Sequence, residues 1–330
     1  MIDKFTIAAV QASPVILDRE ATVDKACKLI AEAAAGGARL IVFPEAFIPT
    51  YPDWIWALPP GDFSGQSSLF ARLLDQAVTI PSPATDRLCQ AAREANAYVV
   101  MGMDERNNEA SGASLYCTLL YIDNKGEIMG KHRKLVPTGA ERLVWAQGDG
   151  STLEAFDTEL GKLGGLICWE NYMPLARYAM YAWGTQIYVA PTWDRGEPWL
   201  STLRHIAKEG GVYVVGVCTA LRRDAMPADI AARVRYSENG DEWINVGDSA
   251  IVSPTGKFLA GPVSRKEEIL YAEVDPDEFG HRWELDVAGH YGRPDVFQLS
   301  VRRDARPMVS DATPTQPPPE VAAIGQESAL

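Results

Sequence analysis

The sequence predicts a layered α/β fold, on three observations. Short apolar strands alternate with amphipathic helices along most of the chain, no break in composition divides it before about residue 300, and no repeat of 20 to 50 residues is present. Phe5 to Gln11 alternates as a strand. From Asp18 to Ala35, apolar residues return at Val23, Cys27, Ile30 and Ala34 before Gly36-Gly37, the pattern of an amphipathic helix with its stop. Arg39 to Phe43 is a second strand. The helical stretch Pro83 to Ala95 leads into strand Tyr98 to Met103, and Leu115 to Ile122 with Glu127 to Lys131 reads as a hairpin across Asp123-Asn124-Lys125-Gly126. Leu163, Leu166 and Ile167 form a short buried strand in which Gly164 and Gly165 allow close backbone packing. Trp169-Glu170-Asn171 then turns the chain, and Pro174 opens a helix over Leu175 to Trp183. Strand Gln186 to Ala190, helix Pro198 to Glu209 and strand Val212 to Thr219 follow, then a polar excursion and strands around Ala250, Phe258 and Ile269.

Two stretches stand outside this alternation. Thr50 to Ile80 is rich in Pro, Trp and Gly and is too long for an idle loop, so it is expected to build a pocket or a subunit contact. Residues 1–300 read as one domain. Residues 301–330 turn polar and proline-rich (TPTQPPPE) and bury too little apolar surface to offset their ordering entropy; a mobile tail, or one ordered only at a subunit contact, is expected.

Composition narrows the function. With 330 residues, 47% hydrophobic and 23% charged, the chain has ample material for a core, which excludes disorder of the whole. A net charge of −13 argues against sequence-independent nucleic-acid binding, which needs a basic stripe. Neutral or small substrates fit better. Five cysteines, at 27, 89, 117, 168 and 218, lie far apart with no CxxC pair, and the four histidines are scattered. Neither a disulfide framework nor a metal site is indicated. The amino-terminal MIDKFTIAAVQASP becomes polar within a few residues, and no stretch approaches the ~20 apolar residues that span a bilayer. No membrane association and a cytoplasmic location are expected.

Three strand exits carry chemistry. Cys168 follows the strand in GKLGGLICWENYMPLARYA, Glu45 ends the run LIVFPEAF, and Lys134 follows the second hairpin strand in GKHRKLVPTGAER. In open α/β sheets, ligands bind at the carboxyl ends of strands. An arbitrary cysteine is more often core packing than catalytic. A thiol, a carboxylate and an ammonium at three strand exits can nevertheless converge on one face, and burying the two charges without a partner or a task would be unfavourable.

In order and spacing, FPEAF around Glu45, HRKLVPTGAERLVW around Lys134 and CWENYMPLARY around Cys168 resemble the glutamate, lysine and cysteine motifs of the nitrilase, or carbon–nitrogen hydrolase, superfamily. The likeness runs from about Phe5 to Gln298, and the Trp-Glu-Asn after the cysteine with the stretch Pro137 to Arg142 resembles the nitrilase branch. Ala146 departs from the glycine more usual there, which affects loop packing rather than the assignment. The resemblance implies a four-layer αββα sandwich that pairs into homodimers and extends into larger homo-oligomers or spirals. It also implies hydrolysis of an organic nitrile with two waters to a carboxylic acid and ammonia, with no cofactor. Cys168 would be the nucleophile, passing through a thioimidate and a thioester. Glu45 would act as general base and acid. Lys134, with the backbone N–H of Trp169, would stabilise the tetrahedral intermediates. A thiol of reference pKa ~8.5 is little ionised at neutral pH, so Glu45 or Lys134 is expected to favour the thiolate. Glu141 resembles the family's additional glutamate, which orients Lys134 or the hydrolytic water.

Other residues have competing readings. Tyr51, Trp54, Trp56, Trp193 and Trp199 lie in irregular stretches; Tyr51 and Trp193 flank strand exits and are the best candidates, with Trp169, for lining a substrate pocket. Glu170 is as plausibly half of a structural ion pair as a functional group. His132 is expected on the surface or stabilising a loop. Cys27, Cys89, Cys117 and Cys218 are expected in core packing, and Arg222 to Arg235 is expected to be a solvated or interface segment, with solvation favoured. An amidase or carbamoylase, a cyanide-degrading hydrolase, and a catalytically silent filament-forming scaffold are the rival functions.

Overall fold

Strands β1 (Phe5–Gln11), β2 (Ala38–Val42) and β3 (Tyr98–Arg106) carry apolar residues on both faces, which demands cover on both sides. In β3, Tyr98 and Val100 join one core while Val99, Met101 and Met103 join another, the period-two alternation of a pleated strand. The structure is a computed structural model and describes residues 2–235, 242–279 and 282–305.

β1, β2 and β3 run parallel to one another, and β4 (Leu115–Ile122) and β5 (Ile128–Arg133) extend the sheet antiparallel. A second sheet holds β6 (Phe156–Thr158), β7 (Gly161–Gly165), β8 (Ile187–Thr192), β9 (Tyr213–Cys218), β10 (Ala220–Arg222), β11 (Trp243–Val252) and β12 (Phe258–Ser264). There β7, β8 and β9 are parallel, and β9, β11 and β10 are joined antiparallel. β13 (Glu268–Val274) returns to pair antiparallel with β1 at the edge of the first sheet. Gly165 has to be glycine, because a Cβ there would run into the carbonyl of Val189 on β8.

Helices α1 (Arg19–Ala35), α2 (Phe63–Gln76), α3 (Pro83–Ala95), α4 (Pro174–Ala182), α5 (Glu197–Gly210) and α6 (Ala228–Ala231) complete the regular structure. α1 starts where Asp18 caps the N–H of Ala21, and α3 starts with Ser82 and Thr85 in a reciprocal capping box and Pro83 in the first turn. Asn96 and Gly211, both left-handed, end α3 and α5. α1 and α3 bury Val23, Ile30, Leu88 and Ala92 on the first sheet; α4 and α5 bury Met180, Leu203 and Ile206 on the second. Full burial of each large aliphatic side chain contributes about 1.5–3 kcal/mol. Between the sheets, Ile7, Leu40, Val100 and Leu119 meet Leu163, Val189, Val215 and Ile251. The order of layers is helix, sheet, sheet, helix, the αββα sandwich expected from the resemblance.

The differences from expectation are local. Thr50 to Ile80 contains α2, whose Leu69 and Leu73 join the inter-sheet core. Its opening FSGQSS is poor in helix formers, which hid the period. β3 runs on to Arg106 because Asp104 to Arg106 still pair with Leu115 to Cys117 of β4. The strand expected through Ile167 ends at Gly165. β6, β10 and α6 are too short to show a period. Of the expected tail, residues 306–330 lie outside the described residues. Just before them, Val301 packs on the α4–α5 layer, and Arg303 pairs with Glu154 at 3.3 Å and lies 5.3 Å over the Trp183 ring. Among the described residues, no helix is long and apolar enough to cross a membrane.

Candidate active site

Glu45 and Lys134 arrive from the first sheet and Cys168 from the second, at the ends of β2, β5 and β7, and the three meet where the sheets face each other. Backbone bonding carries each strand past its nominal end: Phe43 N–H donates to Val100, and Lys134 N–H donates to the carbonyl of Cys117 at 2.8 Å. Glu141 enters from the short 3-10 turn Gly139–Leu143 and accepts from Thr138 N–H at 2.6 Å. Lys134 Nζ donates to Glu45 Oε1 and to Glu141 Oε2, both at 2.7 Å. Glu45, Lys134 and Glu141 are each 1% exposed, so only their mutual pairing keeps the charges in so dry a place. The other oxygens are held as well. Glu45 Oε2 accepts from Trp193 N–H at 2.9 Å, a bond between the two sheets, and Glu141 Oε1 accepts from Tyr51 Oη at 2.7 Å.

Cys168 sits at φ 51°, left-handed and uncommon for a residue with a Cβ. Its turn is fastened on both sides. Asn171 Nδ2 donates to the carbonyls of Leu166 and Cys168 at 3.1 and 2.8 Å. Glu170 accepts from the N–H of Ile167 at 2.8 Å and of Leu135 at 2.6 Å, tying the cysteine turn to the residue after Lys134. The His132 ring lies 3.0 Å from Glu170 Oε2. Burial opposes the charge on His132, but Glu170 outweighs it and raises the imidazole above its ordinary value; burial likewise opposes the Glu170 carboxylate, and His132 with the two backbone donors holds it low. Glu170 is therefore an ion-pair partner. Of the two readings of His132, surface or loop-stabilising, the structure fits the second: β5 carries it, buried, to Glu170 of the cysteine turn and to the Thr152 carbonyl.

Burial pushes the Glu45 carboxyl up to about 7; Lys134 pulls against the shift, and the charge of Glu141 adds to it. The Cys168 thiol is also pushed up, first by burial and then by Glu45, with Lys134 opposing. Lys134 is committed to two carboxylates, so burial and the charge of Glu45 outweigh it and favour the protonated thiol.

A cavity of about 550 Å³ opens above Cys168 and Glu141. Tyr51 and Trp193 stack at 4.3 Å with planes 5° apart, and both line it. Trp169, half exposed, lines it too and donates its indole N–H to Asp194 at 2.7 Å. Trp56 joins the wall and donates to Tyr51 Oη at 3.1 Å, whereas Trp54 and Trp199 are buried core residues. Arg223, Arg235 and Trp243 line it as well. The segment Arg222 to Arg235, for which the sequence favours solvation over an interface, thus contributes Arg223 and Arg235 to the cavity, beyond the pairing of β10 with β11. Cys117 is buried as expected, but its Sγ lies 3.5 Å from Glu45 Oε1. Thr192, whose hydroxyl lies 3.1 Å from Cys168 Sγ, escaped the sequence reading; its place at a strand exit was the available signal. Ala146, the departure from the family pattern, donates its backbone N–H to Leu115 at 2.8 Å.

Comparison with known proteins places this geometry. The carbon–nitrogen hydrolase family model matches residues 6–281. The chain is 45% identical over 313 residues to an aliphatic nitrilase of Sinorhizobium fredii (strain HH103), covering 93% of this chain and 98% of that protein. It is 43% identical over 306 residues to the bifunctional nitrilase/nitrile hydratase NIT4B of Nicotiana tabacum, covering 91% and 87%. Among solved structures, an amidase from Nesterenkonia sp. superposes with a TM-score of 0.63 at 20% identity, over 84% of this chain and 93% of that one. Saccharomyces cerevisiae Nit3, a member of branch 10 of the nitrilase superfamily, gives 0.64 at 22%, over 84% and 92%.

Proposed function

The chain belongs to the carbon–nitrogen hydrolase family, in its nitrilase branch, and from that premise we propose that it converts an organic nitrile and two waters into a carboxylic acid and ammonia through a covalent adduct on Cys168. As Cys168 Sγ bonds to the nitrile carbon, its proton passes to Glu45 and on to the nitrile nitrogen, giving a thioimidate. Water adds to that carbon with Glu45 as base, ammonia leaves with a proton from Glu45, and a thioester remains. A second water adds, the C–S bond breaks, and the acid departs as the sulfur regains its proton. Lys134, oriented by Glu141, faces the charge that builds in the tetrahedral species. Tyr51, Trp169 and Trp193 hold the organic substituent.

The observation that favours nitrile over amide is identity. The relatives named as nitrilases match at 43% and 45% over nearly the whole chain, whereas the amidase matches at 20%. Incubation with paired nitriles and amides, following acid, amide and ammonia, should give acid from the nitrile and little turnover of the amide; the reverse preference would refute the assignment. Self-association into homodimers and larger assemblies belongs to the same proposal, as does a cytoplasmic location. A solution mass above the 36.1 kDa of one chain tests the assembly.

The Glu45 carboxyl sets an expected pH limb. Its proton affinity is raised to about 7, and only its ionised form can accept the Cys168 proton, so kcat/KM should fall as pH drops through about 7. An ordinary exposed glutamate would place that limb near ~4.3. A flat kcat/KM profile between about pH 5 and 7 would remove Glu45 from the base role.

A further inference from the structure

We propose that Thr192 is a further catalytic residue of this reaction, its hydroxyl donating to Cys168 Sγ and stabilising the sulfur whenever it carries excess electron density. The proposal rests on the reading of Cys168 as the nucleophile. Thr192 closes β8, is 1% exposed, and places Oγ1 3.1 Å from Sγ. A β-branched side chain on a strand has few χ1 choices, which keeps the hydroxyl where it is.

Its surroundings set the direction of that bond. Asp194 N–H donates to Thr192 Oγ1 at 2.8 Å, occupying a lone pair and leaving the O–H free to donate. Asp194 is held in turn by the Trp169 indole N–H and by the N–H of Arg195, at 2.7 and 2.8 Å. Glu45 is negatively charged and raises the proton affinity of the thiol, and Lys134 already donates to two carboxylates. A neutral hydroxyl aimed at the sulfur supplies the donor that these charged groups do not. The bond also lowers the proton affinity of Cys168, against the larger effects of burial and Glu45.

The hydroxyl serves at two moments. During attack the S–H bond breaks, its proton goes to Glu45, and the sulfur electron pair forms the C–S bond. During release of the acid the C–S bond breaks, and the pair returns to the sulfur before the proton does. Thr192 keeps its own proton at both, so the balance of the reaction is unchanged.

The test uses the full chain with Thr192→Val, Thr192→Ala and Thr192→Ser. Iodoacetamide labelling of Cys168, followed by the mass of its peptide across about pH 6 to 10, reads the nucleophilicity of the sulfur directly. Val keeps the shape and loses the oxygen; Ala loses both. Both should label about tenfold more slowly near neutral pH and move the profile upward by about one unit, the size of a hydrogen bond to a charged group. In both, kcat for a nitrile should fall about tenfold or more with KM little changed. Ser should label and turn over like the parent. Unchanged labelling profiles in Val and Ala, or a Ser variant as slow as Val, would overturn the proposal. Labelling requires no nitrile, so shifted profiles in a protein that hydrolyses no nitrile would uphold Thr192 and sink the substrate assignment instead.

Discussion

Cys168→Ala is expected to abolish nitrile turnover, by about 10⁴-fold or more, while leaving the protein folded. The thiol is small, buried and uncharged at rest, so its loss leaves a methyl-sized side chain, a minor void and an unused hydroxyl on Thr192. The thermal midpoint should therefore move little while activity disappears. The check is a burst experiment with acid trapping: the parent accumulates a mass adduct on the peptide containing Cys168, and the variant accumulates none. Residual turnover within about tenfold of the parent would mean that another group attacks the nitrile.

Lys134→Met is expected to damage both activity and stability. The substitution keeps length and apolar volume but strands Glu45 and Glu141, which share the single ammonium at 2.7 Å each. Breaking a buried pair by removing one partner costs about 3–5 kcal/mol, and the lost electrostatic stabilisation of the transition state lowers kcat by about 10²- to 10³-fold. The sign of the pH effect follows from the proton count. Without the ammonium, the opposition to burial at Glu45 is gone, and its proton affinity rises beyond its present value of about 7. A carboxylate raised in the native state contributes stability below its unfolded pKa and loses it as pH rises through the folded value. Denaturation of Lys134→Met should thus show a larger deficit at about pH 8 than at about pH 5.5. Adding Glu45→Gln should return part of the stability and none of the activity; a deficit independent of pH would mean that packing, not charge, explains the loss.

Much of the fold was legible because apolar periodicity reports burial directly. The strands through Phe5–Gln11, Leu115–Ile122 and Tyr213–Cys218 and the helices through Arg19–Ala35 and Pro83–Ala95 have periods or caps that leave one solution. α2 was lost because its first turn is serine and glycine, where propensity argues against what packing of Leu69 and Leu73 enforces. Glu45, Lys134 and Cys168 were legible as reactive groups at strand exits. Their partners were less so. Periodicity says which face of a strand is buried but not which loops meet, so Trp193 N–H on Glu45 and His132 beneath Glu170 emerge only once the sheets are docked, and Thr192 on Cys168 only once β7 and β8 are paired in register. Likewise the charges of Arg222 to Arg235 favour a solvated reading until the fold brings Arg223 and Arg235 to the cavity.

Because base and ammonium ride on one sheet and nucleophile and hydroxyl on the other, neither half of the sandwich holds a working set of groups. The first sheet alone would carry Glu45 and Lys134 without Cys168. A sandwich with a loosened interface would keep the thiol but separate it from its proton acceptor. The meeting of thiol, carboxylate and ammonium is therefore a property of the docked sandwich and of neither sheet alone.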